Sequence, residues 1–224
     1  MARRPGGAMT TRPLHFIWIA DRSGSMQAGG KIQALNIAIN EALPAMRQVA
    51  EHCPNAEVLV RVVAFSDGAH WHAARPVPVE TFAWDDIVAG GMTDLGAALT
   101  LVAESFRASS AAEPGFPPVL VLLSDGQPTD DYAAGLRALL EQPWGRRSER
   151  FAIAIGGDAD LDVLRGFTGA SDRVVRANNP EALARAIRSA ATSVLSSIVA
   201  PPSAQTPTTW APEATWSRMA PDVW

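Results

Sequence analysis

The sequence predicts an α/β fold: a three-layer, doubly wound, mostly parallel sheet with one antiparallel edge strand. Three observations carry this. Four short runs, 14–20, 58–65, 119–123 and 151–155, are almost continuously apolar, as strands buried on both faces of a parallel sheet are. Stretches of helical period separate them, which implies right-handed strand–helix–strand units. Two of the runs stop at polar loops, Asp21-Arg22-Ser23-Gly24-Ser25 and Ser124-Asp125-Gly126. Open α/β sheets bind their ligands at such carboxyl ends of strands.

The elements follow in order. Leu14 to Ala20 is the first strand. From Gly30 to about His52, Ile32, Leu35, Ile39, Leu43, Met46 and Val49 recur at helical spacing. Pro44 lies inside that pattern and is expected to kink or break it. Val58 to Phe65 is apolar except for Arg61 and reads as a central strand. His70 to Phe82 alternates and holds Pro76 and Pro78, which suits a short edge strand and not a central one. After the Gly90-Gly91 turn, Thr93 to Arg107 reads as a helix with Leu95, Leu99, Val102 and Phe106 inward. Val119 to Leu123 is a strand and Asp130 to Leu140 a helix. Phe151 to Ile155 is a strand, Asp160 to Phe167 a short helix, and Arg173 to Arg176 a short strand. Asn179-Pro180-Glu181 opens the last helix, with a cap followed by proline in the first turn. That helix runs to about Val199.

The expected organisation is a disordered lead over 1–13, one domain over 14–199, and a tail over 200–224. The tail holds Trp210, Trp216 and Trp224 among prolines. Large rings have little use in a solvated segment, and aromatic anchors favour docking, onto another protein or back onto this domain.

Composition narrows the function. The chain has 224 residues, 47% hydrophobic, with a net charge of −4 and no long block of Lys or Arg. No nucleic-acid partner is expected. Arg146-Arg147 with Arg150 reads as solvated loop charge. Cys53 is the only cysteine, so no intrachain disulfide forms, and a reducing compartment fits. No run approaches the roughly 18 apolar residues of a membrane span, and no signal-peptide core follows the basic start. A cytoplasmic protein without membrane contact is expected.

Three loops carry the chemistry. One holds Asp21, Ser23 and Ser25; a second holds Gly91-Met92-Thr93-Asp94; a third holds Ser124-Asp125-Gly126-Gln127-Pro128. Hard oxygen groups without Cys or His suit Mg²⁺ or another hard cation. Asp and Ser at a strand-to-helix turn also serve as caps and turn formers, and the first loop alone does not separate the two roles. The topology lets five oxygen-bearing side chains from these loops meet on one rim.

At this point the chain resembles the von Willebrand factor A family over almost all of 14–199. The family's metal-ion-dependent adhesion site is Asp-x-Ser-x-Ser with a later Thr and a later Asp. Asp21, Ser23, Ser25, Thr93 and Asp125 match it, and the run from Ser124 to Thr129 is also typical. The resemblance implies that Ser23 and Ser25 bind the cation directly. Thr93 would bind directly or through water, and Asp21 and Asp125 would mostly hold waters and neutralise charge. Mg²⁺ is the expected ion, with Mn²⁺ or Ca²⁺ as alternatives; the sparse charge around the ion disfavours Ca²⁺. One position is left for an Asp or Glu carboxylate from a partner protein. The form is similar to bacterial cytoplasmic proteins of this family, including those associated with tellurite resistance. That similarity implies an adaptor in a stress or signalling system, with a Ser/Thr kinase and a PP2C-type phosphatase as partners. The alternative is a docking subunit of a MoxR-type AAA+ ATPase or chelatase-like complex, with a metal-dependent hydrolase ranked behind both.

No enzyme activity is expected, because no nucleophile has a neighbouring general base. A metal hydrolase would add His or further carboxylates. Asp94 is read as a first-turn residue favourable to the helix dipole. Asp158-Ala159-Asp160-Leu161-Asp162 has Val163 and Gly169 where a calcium loop needs Gly and Glu, so helix capping is expected there. His70 and His72 lack a third ligand and read as edge-strand polar residues.

Overall fold

The computed structural model describes residues 11–108, 115–125 and 127–199. Among them six strands form one sheet in the order β3-β2-β1-β4-β5-β6. The strands are β1 (Arg12–Asp21), β2 (Ala56–Ser66), β3 (Gly68–Pro78), β4 (Val119–Ser124), β5 (Glu149–Ile155) and β6 (Val174–Ala177). The helices are α1 (Lys31–Glu51), α2 (Leu95–Ala108), α3 (Tyr132–Glu141), α4 (Pro143–Arg147), α5 (Leu161–Thr168) and α6 (Pro180–Val199). All strand pairings are parallel except β2 with β3. The expected doubly wound sheet with one antiparallel edge is therefore what the chain builds.

The period of two along each strand splits the core in two. Phe16, Trp18, Val60, Val62, Val121, Ile153 and Ile155 face a layer formed by α1 and α6. Ile17, Ile19, Val63, Phe65, Leu120 and Leu122 face the opposite layer of α2, α3 and α5. Because both faces are covered, the central strands carry no polar face, which is why they read as unbroken apolar runs. Each large side chain buried this way contributes roughly 1.5–3 kcal/mol. β1 lies at the centre, in register with β2 from Arg12 to Asp21 and with β4 from Phe16 to Ala20. Its carboxyl end therefore sits between the carboxyl ends of two neighbours.

Several expectations need correction. Pro44 neither breaks the helix nor divides it, since α1 runs unbroken from Lys31 to Glu51. Pro44 and Asn40 are both exposed, so water can serve the Asn40 carbonyl that loses its intrahelical donor. The edge strand is eleven residues long, with register shifts against β2 around Val60 and Val62. Arg150 is not a loop charge. It lies in β5 opposite Leu120, and its guanidinium donates to the carbonyls of Phe167 (2.8 Å) and Gly145 (3.0 Å). Arg146 and Arg147 belong to the short helix α4. β1 starts at Arg12, two residues before the expected strand. Cys53 is half-buried, and burial pushes its thiol up, which disfavours the reactive thiolate. The tail with Trp210, Trp216 and Trp224 lies outside the described residues. Among the described residues no helix is long and apolar enough to cross a membrane.

One buried amide organises the segment before the second site loop. Asn36 on α1 accepts from Trp84 Nε1 (3.1 Å) and the Ile87 N–H (3.1 Å), and donates to the Ile87 carbonyl (2.9 Å). Asn36→Ala strips three buried partners at once. It is expected to lower stability by about 2–4 kcal/mol, read as a loss in the urea midpoint at unchanged m-value.

Candidate metal centre

The first loop turns sharply out of β1. Asp21 is fully buried, Ser23 is 1% exposed, and Ser25 is exposed. Asp21 Oδ1 accepts from the Ser23 N–H at 2.8 Å, and Oδ2 accepts from Ser124 Oγ at 2.5 Å. Ser23 Oγ and Ser25 Oγ lie 2.9 Å apart. A 3₁₀ segment, Gly24–Gly30, then leads into α1, where the sequence pattern predicts only a loop.

The second loop is laced onto the first. The Gly90 N–H donates to the Arg22 carbonyl (2.7 Å), and the Gly24 N–H to the Gly91 carbonyl (2.9 Å). Arg22 Nε donates to the Val88 carbonyl and Gln27 Nε2 to that of Ala89. Gly91 sits at φ +85°, and a Cβ there would lie 2.5 Å from the Asp67 carboxylate, so the turn requires glycine. These bonds hold Thr93, 7% exposed, on the rim. Thr93 precedes α2 instead of opening it, because the helix starts at Leu95.

The third loop closes the rim. The backbones of Thr93 and Thr129 are joined, with the Thr129 N–H donating to the Thr93 carbonyl (2.9 Å). The Thr93 N–H donates to Thr129 Oγ1 (2.9 Å). Asp125 is 2% exposed, and its Oδ1 has no hydrogen-bond partner. Its charge is close enough to Asp21 to disfavour ionisation there. The largest effect on Asp21 is burial, which pushes its carboxyl up to about 6 against the lowering influence of the Ser124 and Ser23 hydrogen bonds.

The structure thus brings Asp21, Ser23, Ser25 and Asp125 together, and ties Thr93 to the same rim through its backbone. Two buried carboxylates, one of them with an orphaned oxygen, are costly without a cation. Carboxylate and hydroxyl oxygens are the donors a hard divalent ion takes. Among the described residues no three His, Cys, Asp or Glu side chains gather as a metal site, so a cation held here would need the hydroxyls as ligands.

Neighbouring residues have other work. Asp94 precedes α2, and its carboxylate accepts from the Gly68 N–H (2.7 Å) and from Thr129 Oγ1 (3.0 Å). It braces two loops, a larger role than the dipole contact expected of it. Asp130 caps α2 by accepting from the N–H groups of Gly96 and Ala97. Asp160 caps α5 as expected. His72 Nε2 donates to the Asp85 carbonyl. Sequence reasoning missed Ser124 as the support of Asp21, although it lies in the same Ser-Asp-Gly run. It also missed buried Lys31, 3.4 Å from Asp158 across 127 positions of sequence, a pairing no local pattern announces.

A model of the von Willebrand factor type A domain matches residues 18–189. The chain belongs to this family. VWA domains are generally metal-dependent protein-interaction modules that bind a divalent cation at the metal-ion-dependent adhesion site. No curated protein matches the chain. Among solved structures, the pilus adhesin SpaC of Lactobacillus rhamnosus GG, in its open conformation, superposes with TM-score 0.67 at 14% identity, over 84% of this chain and 30% of that one. A von Willebrand factor type A protein from Catenulispora acidiphila gives TM-score 0.61 at 19% identity, over 82% and 43%. Proximal thread matrix protein 1 from the mussel byssus, with a zinc-occupied adhesion-site motif, gives 0.56 at 15% identity, over 84% and 46%. This VWA chain spans less than half the length of each of the three. At these identities the likeness concerns the fold.

Proposed function

We propose that this VWA domain is a metal-dependent adaptor that docks a partner protein through an Asp or Glu carboxylate. The observation that carries the reading is the buried Asp125 Oδ1 without a partner, beside the buried Asp21 carboxylate and the Ser23–Ser25 hydroxyl pair. Ser23, Ser25 and Thr93 would bind the ion, and Asp21 and Asp125 would hold its waters. Mg²⁺ is the ion of choice, with Mn²⁺ or Ca²⁺ able to substitute. A bound cation with few anionic ligands supplies an electrophilic point for one more carboxylate. The chain's own part is to hold the donors, keep them dry at the Asp21 side, and expose Ser25 to the visitor. The role is binding, without turnover.

The setting we propose is a bacterial stress or signalling system of the tellurite-resistance type, in the cytoplasm, with a Ser/Thr kinase or PP2C-type phosphatase as partner. The lone cysteine, which fits a reducing compartment, supports the cytoplasmic part of this reading. The pilus adhesin among the structural neighbours is the rival for location.

Mg²⁺ is expected to raise the melting temperature and to be required for partner capture, and Asp21→Ala should remove both effects. Capture from the native host with and without EDTA, followed by identification, tests the partner. A kinase or phosphatase recovered only with Mg²⁺ supports the proposal. An AAA+ ATPase recovered instead would shift the assignment to a docking subunit of that machine. Identical melting with Mg²⁺, EDTA and Asp21→Ala would overturn the metal reading.

A further inference from the structure

A second site lies at the opposite end of the sheet from the metal loops. There a cleft is walled by Ile17, Phe106, Phe116 and Trp144, with His15 and Arg61 in the lining. No described lining residue carries a carboxylate.

Arg61 is the exception in β2 and is half-buried. Its guanidinium stacks on Trp71 at 3.5 Å and donates once, from Nη2 to the Ala74 carbonyl at 3.0 Å. Its Nε is buried with no acceptor, and no carboxylate pairs with it among the described residues. Burial pushes its pKa down, the mark of a charge held without an anion. The irregular pairing of β3 falls opposite Arg61, between the Val60 and Val62 registers. Bulges of this kind re-aim side chains beside functional sites.

Two further arginines rest against aromatic rings of its wall. Arg12 lies 4.5 Å over the Phe116 ring, and Arg147 lies 5.1 Å from the centre of the Trp144 ring. Of the three, Arg61 is the one that lines the cleft itself. The shape and charge match an anion with an apolar body, since an arginine fork is the group that takes a carboxylate in a partly dry site.

We propose that this cleft binds a small organic acid, its aromatic or aliphatic body against Phe106, Phe116 and Trp144 and its carboxylate on Arg61. The site is independent of the metal centre.

The full chain, ¹⁵N-labelled, is titrated with benzoate, octanoate and the uncharged benzamide. A saturable shift of the Arg61 Nε–H and the Trp144 indole N–H with at least one acid, and none with benzamide, is the expected result. Arg61→Met should weaken that acid by about tenfold or more, the loss of a charge-assisted contact. It should change the melting temperature little, because the lost stacking on Trp71 and bond to Ala74 are offset by removing a half-buried charge without an anion. Arg61→Lys, which keeps the charge without the planar fork, should fall between. EDTA should leave the affinity for the acid unchanged. Absence of saturable shifts with both acids at millimolar concentration would overturn the proposal. So would equal binding of benzamide, or wild-type affinity in Arg61→Met.

Discussion

Asp21→Asn is expected to raise the melting temperature of the metal-free protein at neutral pH and to erase the further rise that Mg²⁺ gives the wild type. Asp21 is fully buried, and its carboxyl is raised from 3.8 to about 6. The folded state therefore holds this proton more tightly than the unfolded chain does. Between those two values unfolding releases a proton, so the stability of the metal-free protein falls as pH rises through the window. Above it the loss is constant and amounts to about 3 kcal/mol. Asparagine removes the charge and keeps the shape. Its carbonyl accepts from the Ser23 N–H, and its amide can donate to Ser124 Oγ. A divalent ion competes with the same proton, so Mg²⁺ should stabilise the wild type weakly at the acid edge of the window and fully at neutral pH. Melting curves in EDTA and in Mg²⁺ across that range test both claims. A metal-free Asp21→Asn that melts below the wild type at neutral pH would show that the buried charge carries no such cost.

Gly135→Ala is expected to be among the most damaging single-methyl additions and to weaken metal binding from a distance. A Cβ at Gly135 would lie 2.3 Å from the Gly96 carbonyl oxygen and 2.7 Å from Gly96 Cα; one at Gly96 would lie 2.5 Å from the Asp131 carbonyl oxygen. Neither glycine has positive φ, so the requirement is space. α2 and α3 meet backbone to backbone, and an extra methyl forces them apart at a cost of about 1–3 kcal/mol or more. The displaced neighbours are Asp130, which caps α2, and Thr129, which clasps Thr93. Urea denaturation should show the lost stability, and a calorimetric Mg²⁺ titration the lost affinity. Gly157→Ala, with nothing within 4 Å of its Cβ, is the control and should leave stability nearly unchanged.

The contrast between these two residues shows what a sequence reveals here. Asp21 was legible because a carboxylate and two hydroxyls on alternate residues closed a buried strand. The central strands were legible because burial on both faces leaves no polar positions. Gly135 and Gly96 were silent, since a helix glycine looks the same whether it meets solvent or another backbone. Lys31 and Asp158 were silent for a related reason: their meeting depends on how α1 lands beside the loop after β5. Pro44 misled because the cost of proline depends on whether water reaches the freed carbonyl, and exposure is set by packing. Asp130 and Asp94 were assigned to the nearest helix starts, yet their carboxylates also bind across to other elements.

The position of β1 between β2 and β4 has a consequence for biosynthesis. The oxygen atoms of the first loop leave the ribosome a hundred residues before Ser124 and Asp125, and β4 must slot against β1 before Asp21 gains its hydroxyl partner. A fragment that stops short of β4 lacks Ser124 and Asp125 and is expected to bind the proposed cation weakly. Should the rim bind a cation as proposed, its affinity would report that β4 has docked against β1.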